Sequence, residues 1–141
     1  MYIVTLNKVT VKQLEDYWIN HKDYKKQLYY RELEVLHPYR EADSNIGGGK
    51  SNRTSDTTMV KAAALVEDAR YQHLKKIVRV VEDIYEELDD DQRTIVDMRY
   101  FDKDECYEWE DIADKLFMSR QRVFRKRNRI IDKTAERLGW L

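Results

Sequence analysis

The strongest chemical signal in the sequence is a block of cations near its C-terminal end. Between Ser119 and Ile131 there is no acidic residue, and the basic residues are Arg120, Arg122, Arg125, Lys126, Arg127 and Arg129. Arginine and glutamine can hydrogen-bond to base edges in a major groove, and other cations can neutralise phosphates. A local basic block is what a nucleic-acid footprint requires, although the net charge of the chain is only -1.

The residues around this block are spaced as in a helix-turn-helix. Residues 109–116 predict one short helix, and residues 120–138 predict a second helix for which Ser119 is the N-cap. Apolar or small residues occupy the positions that would face inward between the two helices: Ile112, Ala113, Leu116, Met118 and Val123. The pattern predicts a helix pair that presents the basic face of the second helix to DNA.

The predicted DNA-binding residues follow from this arrangement. They lie at the cap or on the outward positions of the second helix: Ser119, Arg120, Gln121, Arg122, Arg125, Lys126 and Arg129. We assign base readout to residues 120–122 and phosphate contacts to the three later cations. The alternative is a solvated basic helix that closes a small bundle. The small-residue spacing, the serine cap and the acidic segment ahead of them favour DNA binding.

A glycine-rich loop is the second segment whose residues could bind a ligand. Gly47 to Gly49 are followed directly by Lys50, and Arg53 lies three residues further on. A nucleotide-binding loop would also need a glycine in place of Ser44, a preceding strand and an immediately following helix, which this segment lacks. Two interpretations stay open: a basic loop in which Lys50 and Arg53 touch DNA, or a plain turn between helices.

Acidic residues concentrate between Glu82 and Asp111, where fourteen acids accompany three bases. They lack the glycine offset of an EF-hand, and no histidine, nor the single Cys106, has a metal-ligand spacing or a paired nucleophile. We therefore predict no metal, no cofactor and no enzymatic activity. The acidic segment is interpreted as a solvated surface, which could also meet a basic face of RNA polymerase.

Composition limits the class of protein. The chain has 141 residues, of which 42% are apolar and 38% charged, with four glycines and one proline. Scarce turn residues argue against a β-sandwich, and no apolar run approaches the roughly 20 residues that span a bilayer. The first ten residues lack the apolar region of a signal peptide. These features predict an all-α protein of the cytoplasm.

Helical periodicity divides the chain into three regions. Residues 1–42 predict an N-terminal helical pair, in which one helix begins at Thr10 and the other runs from about 24 to 37, before Pro38. Residues 43–58 predict the glycine-rich loop or linker. Residues 59–141 predict a domain made of a long helix, a shorter helix and the helix-turn-helix, the first two at about 59–88 and 91–100.

Two expectations concern apolar surfaces. The second N-terminal helix is predicted to bury a stripe formed by Tyr24, Leu28, Tyr29, Tyr30, Leu33 and Leu36. The long helix is predicted either to form a homodimer, which would suit a repeated DNA half-site, or to be a core helix of the monomer.

Residues from Leu88 to about Ile131 resemble region four of bacterial sigma factors. In that family a helix ending in an Arg-Tyr-Phe-like element, here 99–101, precedes the helix-turn-helix, and the residues after a serine like Ser119 read the promoter. Two departures stand out: Phe117 replaces a usual glycine of the turn, and Gln121 replaces a usual acid. The resemblance implies promoter binding. Phe117 implies a shifted turn geometry, and Gln121 implies a preferred DNA sequence different from the ordinary promoter element.

The layout of the whole chain resembles the phage late-gene transcriptional activators of the RinA type, in the wider ArpU-like group. The loop over 45–52, the polar run over 55–58 and the order of the helical parts carry this resemblance. It implies binding to double-stranded DNA upstream of a phage late promoter and activation of bacterial RNA polymerase in the host cytoplasm.

Two rival functions stay open. A phage DNA-packaging protein similar to a small terminase subunit also contains a helix-turn-helix. Its DNA-binding part usually precedes the oligomerisation core, and the order here is reversed, which favours the activator. The second rival is a nuclease that uses the acidic segment. A native mass tests the first rival, because a ring of many copies would support it, and metal-dependent DNA cleavage tests the second.

Overall fold

The computed structural model describes residues 5–38, 54–105 and 107–141, with 54–56 described as backbone only. The helices of these ranges, in chain order, are α1 (Lys8–Ile19), α2 (His21–Leu36), α3 (Thr54–Glu67), α4 (Ala69–Glu87), α5 (Asp90–Val96), a π segment (Asp97–Phe101), α6 (Trp109–Leu116) and α7 (Arg120–Leu138). No strand occurs among the described residues, which confirms the all-α prediction. No helix in these ranges is long and apolar enough to cross a membrane.

The larger hydrophobic core lies between α1, α4, the π segment and α7. Its buried residues include Leu14, Trp18, Ile77, Val81, Ile84, Tyr100, Ile130, Ile131 and Ala135. The indole of Trp18 is fully buried, and its Nε1 donates a hydrogen bond to Thr134 Oγ1 at 3.0 Å, which ties α1 to α7. Because the apolar face of α4 is used within the chain, α4 is a core helix of the monomer.

The N-terminal helices begin earlier than predicted. The N-cap of α1 is Asn7 rather than Thr10, because Asn7 Oδ1 accepts a hydrogen bond from the Thr10 backbone at 2.8 Å. The second helix begins at His21, so the break predicted over 20–23 is confined to Asn20. Backbone hydrogen bonds continue on both sides of that residue, from Asn20 N to Asp16 O and from Tyr24 N to Asn20 O.

The predicted buried stripe of the second helix was wrong. No residue of α2 is buried, and the exposed fractions of Tyr29 and Tyr30 are 59% and 60%. Helix α2 packs on α1, α3 and α4, and only one of its faces is partly buried. Tyr24, Leu28 and Leu36 are partly buried on that face, whereas Tyr29 and Tyr30 lie outside it and are exposed.

The predicted long helix was also wrong, because it is divided at Asp68 into α3 and α4. The backbone of Asp68 is extended, and its carboxylate accepts hydrogen bonds from the Tyr71 backbone at 2.7 Å and from Arg31 Nη2 at 2.6 Å. An aspartate that caps a following helix competes with continuous helix formation. Helix α3 begins at Thr54, so the loop predicted over 43–58 was wrong for 54–58.

The short helix predicted over 91–100 forms as α5 followed by the wider turns of the π segment. Asp89 is the N-cap of α5 and makes a reciprocal capping box with Gln92. The helix continues into the π segment, which the hydrogen bond from Asp102 N to Asp97 O closes at 2.9 Å. Arg99 reaches forward to the Tyr107 carbonyl at 2.8 Å, whereas the buried Tyr100 points back to α1.

Candidate nucleic-acid interface

Helices α6 and α7, the pair that the sequence predicts as a helix-turn-helix, are joined by a short turn and share an inner face that is a small hydrophobic core of its own. Ile95, Ile112, Ala113 and Val123 are its buried residues, and Leu116 and Met118 pack against them. The positions predicted to face inward therefore do so. The bounds of both helices also match the prediction, because a capped start and a regular apolar spacing define each of them locally.

The turn between the helices contains Phe117 in the left-handed conformation, with φ 54° and ψ 43°. Two hydrogen bonds close it, from Met118 N to Ala113 O at 3.0 Å and from Phe117 N to Asp114 O at 3.3 Å. This is the Schellman arrangement, in which glycine usually occupies the left-handed position. The turn keeps its shape with phenylalanine there, and the Phe117 side chain is 96% exposed.

Helix α7 is held in the larger core by its C-terminal half, whereas its N-terminal half packs on α5 and α6 through one face and projects the other face into solvent. The core residues of the C-terminal half are Ile130, Ile131, Ala135 and Leu138. The N-terminal half begins at Ser119, whose Oγ accepts a hydrogen bond from the Arg122 backbone at 3.2 Å. The projecting half, 120–129, spans about 15 Å at 1.5 Å per residue. That length and position suit a helix that enters a groove of DNA.

Four of the predicted DNA-binding cations surround one concavity of about 200 Å³ on this projecting half. They are Arg122, Arg125, Lys126 and Arg129. Three of them are exposed, as is Gln121 beside them, but the Lys126 side chain is only 15% exposed. Its ammonium lies 3.8 Å from the Asp91 carboxylate of α5. We call these four residues the basic groove.

Arg120 lies apart from the basic groove. Its guanidinium is 5.4 Å from the centre of the Phe124 ring and 3.9 Å from the Glu110 carboxylate. Both partners belong to α6 and α7 themselves. The ion pair is exposed on both sides, so it contributes little to stability and leaves Arg120 available to another anion.

Sequence reasoning missed Arg127, which faces inward from the same helix. Its guanidinium lies 5.6 Å from the Trp109 ring, 5.4 Å from the Phe124 ring and 3.7 Å from the Glu15 carboxylate. Its spacing could have revealed it, because position 127 follows the inward-facing Val123 by one helical turn. The Arg127 guanidinium therefore lies on the packed side of α7, between two aromatic rings and the Glu15 carboxylate.

The Glu15 carboxylate links Arg127 to the N-terminal helices. It accepts a hydrogen bond from the Tyr100 hydroxyl at 2.7 Å, and burial together with the nearby carboxylate raises the pKa of Tyr100. Within the described residues, the buried Arg127 Nε has no hydrogen-bond partner. The orientation of α7 thus depends on α1 and the π segment as well as on α6.

The two candidate residues of the glycine-rich loop, Lys50 and Arg53, lie outside the described residues. Their role in DNA contact stays a prediction. The same holds for the assignment of base readout to residues 120–122.

Comparison with known proteins gives two matches. The profile of the family described as "Protein of unknown function (DUF722)" matches residues 7–136. The protein called "Transcriptional activator rinA", from Staphylococcus phage phi11, is 29% identical over 131 residues, which cover 92% of this chain and 91% of that protein. No solved structure matches the chain.

Proposed function

The chain belongs to the family described as "Protein of unknown function (DUF722)", and from that premise we propose that it is a phage transcriptional activator that binds double-stranded DNA through α7. The resemblance to the RinA-type activators, predicted from the layout of the chain, is confirmed by the similarity over nearly the whole length of both proteins. The relative is named a transcriptional activator. We further propose that this protein acts at late promoters together with host RNA polymerase.

The observation that carries the proposal is the basic groove on the projecting half of α7. Three exposed arginines and the half-buried Lys126 lie together there, on a helix whose other half is fixed in the core. Gln121 and Arg122 lie in the first turn, where a recognition helix contacts base edges. Arg125, Lys126 and Arg129 neutralise phosphates, and Arg120 reaches a base when it leaves Glu110.

Specificity is tested with Arg122→Ala. A bidentate arginine–guanine contact contributes about 1–3 kcal/mol of discrimination, so affinity for the operator should fall roughly 5- to 150-fold while binding to random DNA changes less. The matched control is Arg79→Ala, which removes an exposed arginine of α4 that lies outside the helix-turn-helix. The operator is found first, by footprinting on DNA of the phage. Unchanged discrimination between operator and random DNA would refute the base-readout assignment.

Phosphate contacts are tested by the salt dependence of binding. Each of Arg125→Ala, Lys126→Ala and Arg129→Ala should weaken specific and random binding alike and flatten the slope of log K against log salt by about 0.9. The slope change for Lys126 should be the smallest of the three, because the Asp91 carboxylate already lies beside its ammonium. If all three variants keep the wild-type slope, α7 does not lie along DNA as proposed.

Activation requires a surface that reaches host RNA polymerase, and we assign it to an acidic concavity beside α6. Its volume is about 790 Å³, and it is lined by Met98, Glu105, Tyr107, Asp111, Asp114, Lys115 and Phe117. Three carboxylates around exposed aromatic surface suit a basic segment with an apolar side chain. The double variant Glu105→Lys, Asp114→Lys should bind the operator at least as tightly as wild type but fail to stimulate transcription in vitro. Full stimulation of transcription by this variant would exclude the concavity as the contact surface for RNA polymerase.

A further inference from the structure

Helix α3 carries an apolar face that the described part of the chain leaves in water. Met59, Val60 and Val66 are 72%, 67% and 72% exposed, and Ala62 and Ala63 are exposed between them. No residue of α3 that the structure describes is buried. A 14-residue helix is marginal in water by itself, and because α3 packs through only one of its sides, the apolar face on the other side lacks cover.

The orientation of this face is fixed by the junction that follows it. Helix α3 ends at Glu67, directly before Asp68, whose carboxylate accepts two hydrogen bonds from Arg31 of α2, at 3.0 and 2.6 Å. Lys61, Ala64 and Leu65 lie on the half-buried inner side, and α3 packs on α2 and α4. The exposed side chains on the opposite side therefore point away from their own chain.

The sizes of the side chains on this face are arranged symmetrically about its centre. Along the helix it runs Met59, Ala62, Ala63 and Val66, with large residues at the ends and small residues in the middle. Steps of three, one and three residues place all four on one stripe of an α-helix. When two such helices pack antiparallel about a two-fold axis, Met59 of each copy meets Val66 of the other, and the alanines at the axis let the backbones approach closely.

We propose that this face, which we call the α3 stripe, is a dimer interface in which a second copy of the chain covers it. Positions 59, 60, 62, 63 and 66 carry no charge, and the exposed Glu67 lies at the C-terminal end of the helix, so the face suits an apolar, self-complementary partner instead of DNA or a strongly charged protein segment. A two-fold dimer presents two copies of α7, as a repeated half-site requires. The proposal does not depend on DNA binding, because the dimer is measured without DNA.

The test is the mass of the full chain by light scattering across a range of protein concentrations. Wild type should be a dimer. Ala63→Glu places two carboxylates near the axis in an apolar contact and should raise the dissociation constant at least ~100-fold. The matched control is Val9→Glu, which introduces the same charge at a 75% exposed apolar position of α1 and should leave the dimer intact. Helical content and melting temperature show that both variants fold.

A cross-link locates the axis independently. In a Cys106→Ser background, Ala63→Cys should form a covalent dimer on mild oxidation, whereas Val9→Cys should not. A monomeric wild type, a ring of many copies, an intact Ala63→Glu dimer or the absence of the Ala63→Cys cross-link would each overturn the proposal. Loss of transcriptional activation in Ala63→Glu with a monomeric wild type would assign the stripe to a different partner.

Discussion

Replacing Phe117 by glycine should stabilise the protein, because the turn between α6 and α7 holds this residue at φ 54°. A side chain with a Cβ meets steric resistance in the left-handed region, at a cost of about 1–2 kcal/mol. Glycine avoids that resistance and fits the two hydrogen bonds that close the turn. Little packing is lost, since the Phe117 side chain is 96% exposed.

The expected gain is the relieved strain less the larger conformational freedom that glycine gives the unfolded chain. The second effect is about 0.4–1 kcal/mol, so the free energy of unfolding should rise by about 0.8 kcal/mol, the middle of a range from about 0 to 1.6 kcal/mol. For a chain of this length, a gain of that size corresponds to an increase of about 1–4 °C in melting temperature.

The assay is urea and thermal unfolding followed by circular dichroism. Phe117→Ala is the matched control, because alanine removes the ring but keeps the Cβ, and its stability should stay within about 0.3 kcal/mol of wild type. Operator affinity should be the same in both variants, since Phe117 is not part of the basic groove. A glycine variant less stable than wild type, or an alanine variant equally stabilised, would refute the strain argument.

Three further predictions follow from other parts of the molecule. Arg127→Met keeps an apolar stem but removes the cation beside the α1 carboxylate, so the free energy of unfolding in urea should fall by about 1–2 kcal/mol; unchanged stability would contradict a stabilising role for Arg127. The hydrogen bonds from Arg31 hold the pKa of Asp68 below its usual 3.8. The stability from Asp68 is therefore present above about pH 4 and lost as pH falls through the lower folded pKa. Arg31→Ala should make the free energy of unfolding depend less on pH in the acid range and should raise the pKa of Asp68 in an NMR titration. An unchanged titration would argue against the pairing. Lys50→Ala combined with Arg53→Ala should weaken operator binding while helical content and melting temperature stay at wild-type values, without ATP turnover in either protein; wild-type affinity would make the loop a plain turn.

The bounds and the inward faces of α6 and α7 could be predicted from the sequence because their signals are local. A serine cap, a three- and four-residue spacing of apolar positions and a block of cations each act within a few residues of one another. They gave the bounds of α6 and α7 and the inward positions around Ile112 and Val123. The all-α class was equally predictable, from the scarcity of turn residues and the helical periodicity.

The errors arose where a distant residue decides a local outcome. Asp68 is compatible with a continuous helix in isolation, but Arg31, far away in sequence, stabilises it as a cap, and the long helix divides there. Tyr29 and Tyr30 look like core residues by type. They stay exposed because they lie outside the one partly buried face of α2, which periodicity within the helix cannot reveal.

The cations of α7 illustrate the same division. Their positions are known from the sequence, and the helical period predicts which of them share a face. Which of them are available to an outside anion depends on carboxylates that the fold brings near: Asp91 lies beside Lys126, Glu110 beside Arg120 and Glu15 beside Arg127. A charge acts over several ångströms irrespective of its position along the chain, so only the tertiary structure decides which cations are paired and which face outward.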